Sequence, residues 1–284
     1  MKSKLLTLAV SLASALSFAQ IAEASVLYVN NAGTPYVESF DTTTGAKIFS
    51  FTAGSANGRG VVTVGDVVYT SNANNGFIGK YDRTTGTSLG GFNVAGAGGI
   101  STISYDGDNF WTSDYTGSNK AYYVSPTGTV LKTISLSKSV GYYDGLEYFD
   151  GKLIANRFDG GYAYAGGNQY SVYDTDGNLL TENFINTNGH GNGTGIAYDG
   201  TNFYIADIFN NRATIWSGVD GSYIGALTLV GLKGNAVEDL SFDFEGRDDT
   251  CRVNCNGGEV SEPAAVILLG LGIMGLALRR RRQG

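Results

Sequence analysis

The sequence predicts an all-β protein, a five-bladed β-propeller of four-stranded blades whose first blade is closed by the C-terminal strand. Three observations predict it. A short segment rich in β-branched and aromatic residues recurs five times and ends each time in a polar residue: VLYVNN (26–31), VVYTSN (67–72), FWTSD (110–114), LIANR (153–157) and FYIAD (203–207). A glycine turn follows each copy at a matching offset. A strand missing before the first copy reappears after the last. The period of about 39 to 50 residues fits four-stranded blades.

Each element follows from its residues. After every copy comes a second strand with a turn: YVESFDTTTG (36–45), FIGKYDRTTG (77–86), AYYVSPTG (121–128), QYSVYDTDG (169–177) and ATIWSGVDG (213–221). Glycine accepts the positive φ that such hairpin turns require. A third strand leaves each turn glycine, as in AKIFSFTAG and SYIGALTLVG. The innermost strand precedes each copy: GVVTV (60–64), STISYDGD (101–108), GLEYFDGK (145–152) and GIAYDGTN (195–202). The first copy has none before it, and VEDLSFDFEG (237–246) supplies it from the far end, which closes a ring. A β-sandwich would not explain this in-register repetition. The expected core includes Tyr28, Tyr69, Trp111, Ile154, Tyr204 and Trp216. The stretch GIAYDGTNFYIADIFNNRATIW resembles blades of the NHL type.

Both ends are read apart from the fold. Residues 1–24 have Lys2 and Lys4, an apolar run from Leu5 to Ala19, and Ala22-Glu23-Ala24 as a small-x-small cleavage site, the pattern of a secretory signal peptide. Residues 25–246 are the propeller. A linker, 247–260, holds CRVNC, whose Cys251 and Cys255 are expected to form a disulfide in an exported chain. Ala264 to Leu278 carries no charge. As a helix it is about 22 Å long, a minimal transmembrane segment against a hydrocarbon core of about 30 Å. Arg279 to Arg282 follow and mark the cytoplasmic side, so the preceding chain lies outside.

Glu262-Pro263, the short Gly/Leu-rich apolar segment and the terminal arginines together resemble the PEP-CTERM sorting signal, over residues 261–284. Ser261 stands where the family pattern has its first proline. The resemblance implies export by a Gram-negative bacterium that makes extracellular polysaccharide. It also implies processing by an exosortase-type membrane protease, with the tail as a transient membrane anchor. Glu262 and Pro263 take the recognition role, and Arg279 and Arg280 belong to the stop. The destination implied is the cell surface, outer membrane or extracellular matrix.

Residues 25–260 hold 13 basic against 24 acidic side chains, a net charge of about −11. Such a surface repels nucleic acid and attracts cations. A propeller binds at one mouth of its channel, where residues from every blade converge. The ends of the second strands place Asn31, Asn72, Asp114, Arg157 and Asp207 there, and the starts of the innermost strands place Arg59, Ser101, Asp144, Thr194 and Glu238. Asp114, Asp207, Asn72 and Glu238 are the expected ligands for a divalent cation such as Ca²⁺, which takes oxygen donors. The competing reading is that each strand-end Asp or Asn caps its own turn.

Residues that break the repeat are the expected ligand contacts. Arg157 stands where other blades carry Asp or Asn, and Glu147 where they carry Val, Ser or Ala. Beside them are Asp144 and three unusual loops, 137–144, 158–168 and 186–194, which bring Tyr142, Tyr143, Tyr162 and His190. Tyrosines near carboxylates suit sugars, stacking on the apolar face while acids take the hydroxyls. The nucleophile elbow, the H-E-x-x-H zinc motif and the phosphate-cradling loop are absent. The expected function is a non-enzymatic binding protein for extracellular polysaccharide. The alternatives are a metal-dependent hydrolase or lyase similar to gluconolactonases, using Glu147, Asp144, Asp207 and Asn72, and a scaffold for surface proteins.

Overall fold

The structure is a computed structural model, and it describes residues 25–54, 57–115, 120–136, 143–157, 169–234 and 236–242. The chain divides into two units, Met1–Arg247 and Asp248–Gly284. The described residues form strands and no helix. In chain order they are β1 (Val26–Asn31), β2 (Tyr36–Asp41), β3 (Lys47–Thr52), β4 (Gly58–Val64), β5 (Val67–Asn72), β6 (Phe77–Asp82) and β7 (Ser88–Asn93). There follow β8 (Ile100–Tyr105), β9 (Phe110–Asp114), β10 (Lys120–Val124), β11 (Val130–Ser135), β12 (Leu146–Phe149), β13 (Lys152–Arg157) and β14 (Gln169–Asp174). The last are β15 (Leu179–Asn186), β16 (Gly193–Tyr198), β17 (Asn202–Asp207), β18 (Arg212–Ser217), β19 (Tyr223–Thr228) and β20 (Val237–Phe242).

They pair into five antiparallel sheets of four: β4 to β7, β8 to β11, β12 to β15, β16 to β19, and β20-β1-β2-β3. The borrowed strand is therefore real. Leu27 of β1 lies opposite Phe242 of β20, and Val29 opposite Leu240. The innermost strands β20, β4, β8, β12 and β16 meet in succession round the channel.

The apolar interior is five wedges, one between each pair of blades. Leu27, Val29 and Phe40 meet Ala206, Leu227 and Leu240 where blade five joins blade one. Ile78 and Phe92 meet Phe110 and Tyr122 in the next-but-one wedge, and Trp111 and Ile134 meet Leu146 and Tyr173 beyond it. Ile154 and Tyr170 meet Ile205 and Trp216, and Val37 and Phe51 meet Val61 and Val68. Each fully buried Leu, Ile or Phe contributes about 1.5–3 kcal/mol. Of the expected core, Tyr69 is only half-buried: it packs on the rim of its wedge with its ring 4.7 Å from that of Phe110.

The turn glycines do two things. Gly221 has φ +68°, and a Cβ there would stand 1.9 Å from the carbonyl oxygen of Phe184 on the neighbouring blade. Gly86 has φ +69° and would strike Phe51 of the blade before it. Gly45, Gly128 and Gly177 repeat this against Thr228, Asn93 and Ser135, so the hairpin tip of every blade touches the outer strand of the preceding one right round the ring. The preceding aspartate sets the turn: Asp82 Oδ1 accepts the N–H groups of Thr84 and Thr85 at 3.0 and 2.8 Å. The Thr84 hydroxyl, which also donates to Oδ1, and then the Thr85 N–H hold its carboxyl down at about 2.

A register shift interrupts the pairing of the innermost strand with its neighbour between Gly58 and Val61, Ile100 and Ile103, and Gly193 and Ile196, and again beside Asn30 and Asn31. Such a bulge bends the strand and re-aims its side chains. Ser25 and the end of β20 both lie at the hairpin-turn face, where Thr42 N–H donates to the Ser25 carbonyl. The starts of the innermost strands lie at the opposite face. Among the described residues no helix is long and apolar enough to cross a membrane. The signal peptide, Cys251, Cys255, Glu262, Pro263, the segment 264–278, Arg279 and Arg280 lie outside the described residues.

Candidate functional site

One residue per blade stands at the channel mouth, Arg59, Ser101, Asp144, Thr194 and Glu238, each at or beside the start of its innermost strand. Arg59 dominates. Its Nη1 lies 2.7 Å from Glu238 Oε2 and its Nη2 donates to Tyr115 Oη at 2.9 Å. Its guanidinium sits over the Tyr115 ring, 4.6 Å from the centroid. Beside it, Ser101 Oγ donates to Asp144 Oδ1 at 2.8 Å. Arg59, Ser101, Asp144 and Glu238 come from four different blades. Burial works against the charge of Arg59, but Glu238 and Asp144 more than offset it and raise its pKa. Burial raises the Asp144 carboxyl, against the pull of Arg59. It pushes Glu238 up to about 8, outweighing the same pull.

In the strand-end ring, Asn31, Asn72 and Asp207 bond within their own turns. Asn72 Oδ1 accepts Asn74 N–H at 2.9 Å and Asn31 Oδ1 accepts Gly33 N–H at 2.8 Å. Asp207 accepts Asn192 N–H at 2.9 Å, Asn210 Nδ2 at 2.8 Å and Arg212 Nε at 2.6 Å. Asp114 is buried, with the Tyr122 hydroxyl 3.4 Å from Oδ2. Among the described residues no three His, Cys, Asp or Glu side chains are placed to hold a metal ion. Asn72, Asp207 and Glu238 are each engaged by protein groups, and Asp114 lies beside the Tyr122 hydroxyl. The set expected for a hydrolase divides in the same way, with Asp144 at the mouth and Asp207 and Asn72 in their turns.

Glu147 has a place in the repeat. Ser241 Oγ accepts Thr63 N–H of the next blade at 3.1 Å, and Ser104 Oγ accepts Tyr148 N–H at 2.8 Å. Glu147 Oε1 lies 3.4 Å from Tyr198 N at the equivalent position. An innermost strand presents an unpaired edge to the channel, and these side chains satisfy it from the blade before. Glu147 does with a carboxylate what two other blades do with a serine.

Of the expected loop residues, Tyr143 and His190 are described. Tyr143 is fully buried in the wedge with Trp111 and Leu146, where Leu136 N–H donates to its hydroxyl, so it is core and not a ligand contact. The ring of His190 stacks on Tyr223 of the outermost strand at 3.8 Å and meets Trp216 edge-on at 5.5 Å, apart from the Arg59 cluster. Arg157 ends β13 opposite Gln169. Tyr142 and Tyr162 lie outside the described residues. Sequence reasoning overlooked Tyr115, one position past the polar residue that ends β9. It also overlooked Phe209, half exposed in the β17–β18 loop with φ +73°, a conformation rare for a bulky residue.

Residues 259–282 match the PEP-CTERM protein-sorting motif. A search of curated protein sequences finds no match. Among solved structures, a chain of the nidogen/laminin complex is similar, with a TM-score of 0.54 at 12% identity over 77% of this chain and 98% of that one. Glutaminyl cyclase of Myxococcus xanthus gives a TM-score of 0.49 at 13% identity over 70% of this chain and 73% of that one. The first likeness shows the propeller fold alone. The motif implies an exported protein of Gram-negative bacteria, attached to the membrane and processed by an exosortase.

Proposed function

We propose that this is a cell-surface or matrix protein, exported through residues 1–24, that binds extracellular polysaccharide at its channel mouth without catalysing a reaction. The observation that carries the reading is the group of Arg59, Tyr115, Glu238, Ser101 and Asp144, which combines an aromatic ring, a guanidinium, two carboxyls and a hydroxyl at one mouth. Rings stack on the apolar face of a sugar, and the polar groups exchange hydrogen bonds with its hydroxyls. Arg59 Nε is buried without a hydrogen-bond partner, so the group keeps a donor unused. β20, the last described strand, ends at the face opposite this mouth. Supporting the choice of polymer is the sorting motif, whose resemblance implies a polysaccharide-producing host.

The test is genetic. A strain lacking this protein is expected to retain less polysaccharide at its surface, and the Tyr115→Ala protein should fail to restore it although it is exported normally. An unchanged envelope and matrix in the deletion strain would contradict the reading.

A further inference from the structure

We infer that Phe209 is a second sugar-stacking subsite of the mouth, so that the bound polysaccharide lies across the channel opening, between Tyr115 of the third blade and Phe209 of the fifth. The inference rests on the polysaccharide reading above and adds where the polymer runs. It starts from a turn that its own sequence disfavours. Asn210 N–H donates to the Asp207 carbonyl at 3.1 Å, which closes a four-residue turn over Asp207-Ile208-Phe209-Asn210. The second central residue, Phe209, has φ +73°. A turn of that form calls for Gly or Asn at this place, because a bulky side chain is strained there. Asn211 also has positive φ, +49°, and its Oδ1 is buried with no hydrogen-bond partner.

Strain of this kind persists only where the surroundings fix it, and it clusters at functional sites. The surroundings fix it here. Asn210 Nδ2 donates to Asp207 Oδ1 at 2.8 Å, and Arg212 Nε to Asp207 Oδ2 at 2.6 Å. Ile208 N–H donates to the Asn192 carbonyl at 3.0 Å, and Leu229 N–H to the Asn211 carbonyl at 2.9 Å. What the strain delivers is an aromatic ring at the surface. Phe209 is 50% exposed, whereas Ile208 beside it is 4% exposed. With half of the residue in solvent, core packing is a poor account of the strain.

Position and chemistry point to a sugar. β17 ends at Asp207 opposite Gly193, the first residue of β16, as β9 ends at Asp114 opposite Ile100, the first residue of β8. Phe209 and Tyr115 therefore stand in equivalent loops at the mouth face, on blades two steps apart in a ring of five. Flanking Phe209 in sequence are the exposed amide of Asn210 and the guanidinium of Arg212, whose side chain is 36% exposed. A ring bordered by such groups suits a sugar, which stacks on the ring and bonds through its hydroxyls. A protein partner would need about 800 Å² on this side. It would find a single apolar anchor in this loop, since Ile208 is buried and Asn210, Asn211 and Arg212 are polar.

The experiment measures binding of the whole mature chain, in detergent, to size-graded fragments of the producing organism's polysaccharide made by partial acid hydrolysis. For the wild type, affinity should rise with fragment length until a fragment spans both rings. Phe209→Gly should remove that gain, binding long fragments at least about fivefold more weakly and short ones as the wild type does. Phe209→Tyr, which keeps a ring, should retain the gain, and Tyr115→Ala should weaken binding at every length. Phe209→Asn, which tolerates positive φ, serves if Phe209→Gly does not fold. Affinity independent of length, or a gain as large in Phe209→Gly as in the wild type, would overturn the inference and leave the site at Tyr115 standing. Phe209 would then be read as a contact for a protein. No binding by the wild type at any length would overturn the polysaccharide reading and this inference together.

Discussion

Single residues show how tightly the repeat constrains the chain. Gly221 and Gly200 both adopt positive φ, at +68° and +97°, but a Cβ on Gly200 has nothing within 4 Å. Gly200→Ala should therefore cost about 1 kcal/mol, the strain of the backbone alone. Gly221→Ala adds a collision with the Phe184 carbonyl and should cost about 2–4 kcal/mol. Denaturant unfolding of the two variants checks the difference, and equal losses would count against the blade-to-blade contact. Phe209→Gly is expected to stabilise by up to about 1 kcal/mol, because it relieves φ +73° at a half-exposed residue. The same scale shows where sequence reading failed. Tyr143 looks like a loop tyrosine because glycine and polar residues surround it, yet it fills a wedge that only the neighbouring blade reveals. Glu147 looks like a break in the pattern because the bond it replaces runs between blades and leaves no trace within one.

At the scale of elements, the strand order was legible. Period, turn glycines and the displaced fourth strand were enough to place all five blades and the ring closure by β20. The register shifts in the innermost strands were not legible, since a bulge changes which residue faces the channel without altering composition. Both mouth rings were found by position, and Asn31 and Asn72 follow the reading that a strand-end Asn caps its own turn. β20 is the element on which closure depends. Leu240 is 1% exposed in the wedge between the fifth and first blades, and Leu240→Ala should cost about 2–5 kcal/mol. Ending the chain at residue 236 should prevent folding altogether, because β1 and Arg59 lose their partners together. Loss of cooperative unfolding in the truncated chain would show it, and a native-like transition would contradict it.

The whole molecule has two unlike faces. One carries the hairpin tips, Ser25 and the end of β20. The other carries the mouth, with the Arg59 guanidinium among carboxyls and an aromatic ring. The net charge of about −11 over residues 25–260 keeps such a surface away from nucleic acid and anionic polymers of high charge density. The proposed polysaccharide would accordingly be neutral or weakly charged. The most direct measurement is co-sedimentation of residues 25–260 with polysaccharide isolated from the producing organism, comparing the wild type with Tyr115→Ala. Binding by the wild type, weakened at least about tenfold in the variant while its unfolding midpoint is unchanged, is the predicted result. No binding by the wild type, or equal binding by both proteins, would contradict a polysaccharide site at the mouth.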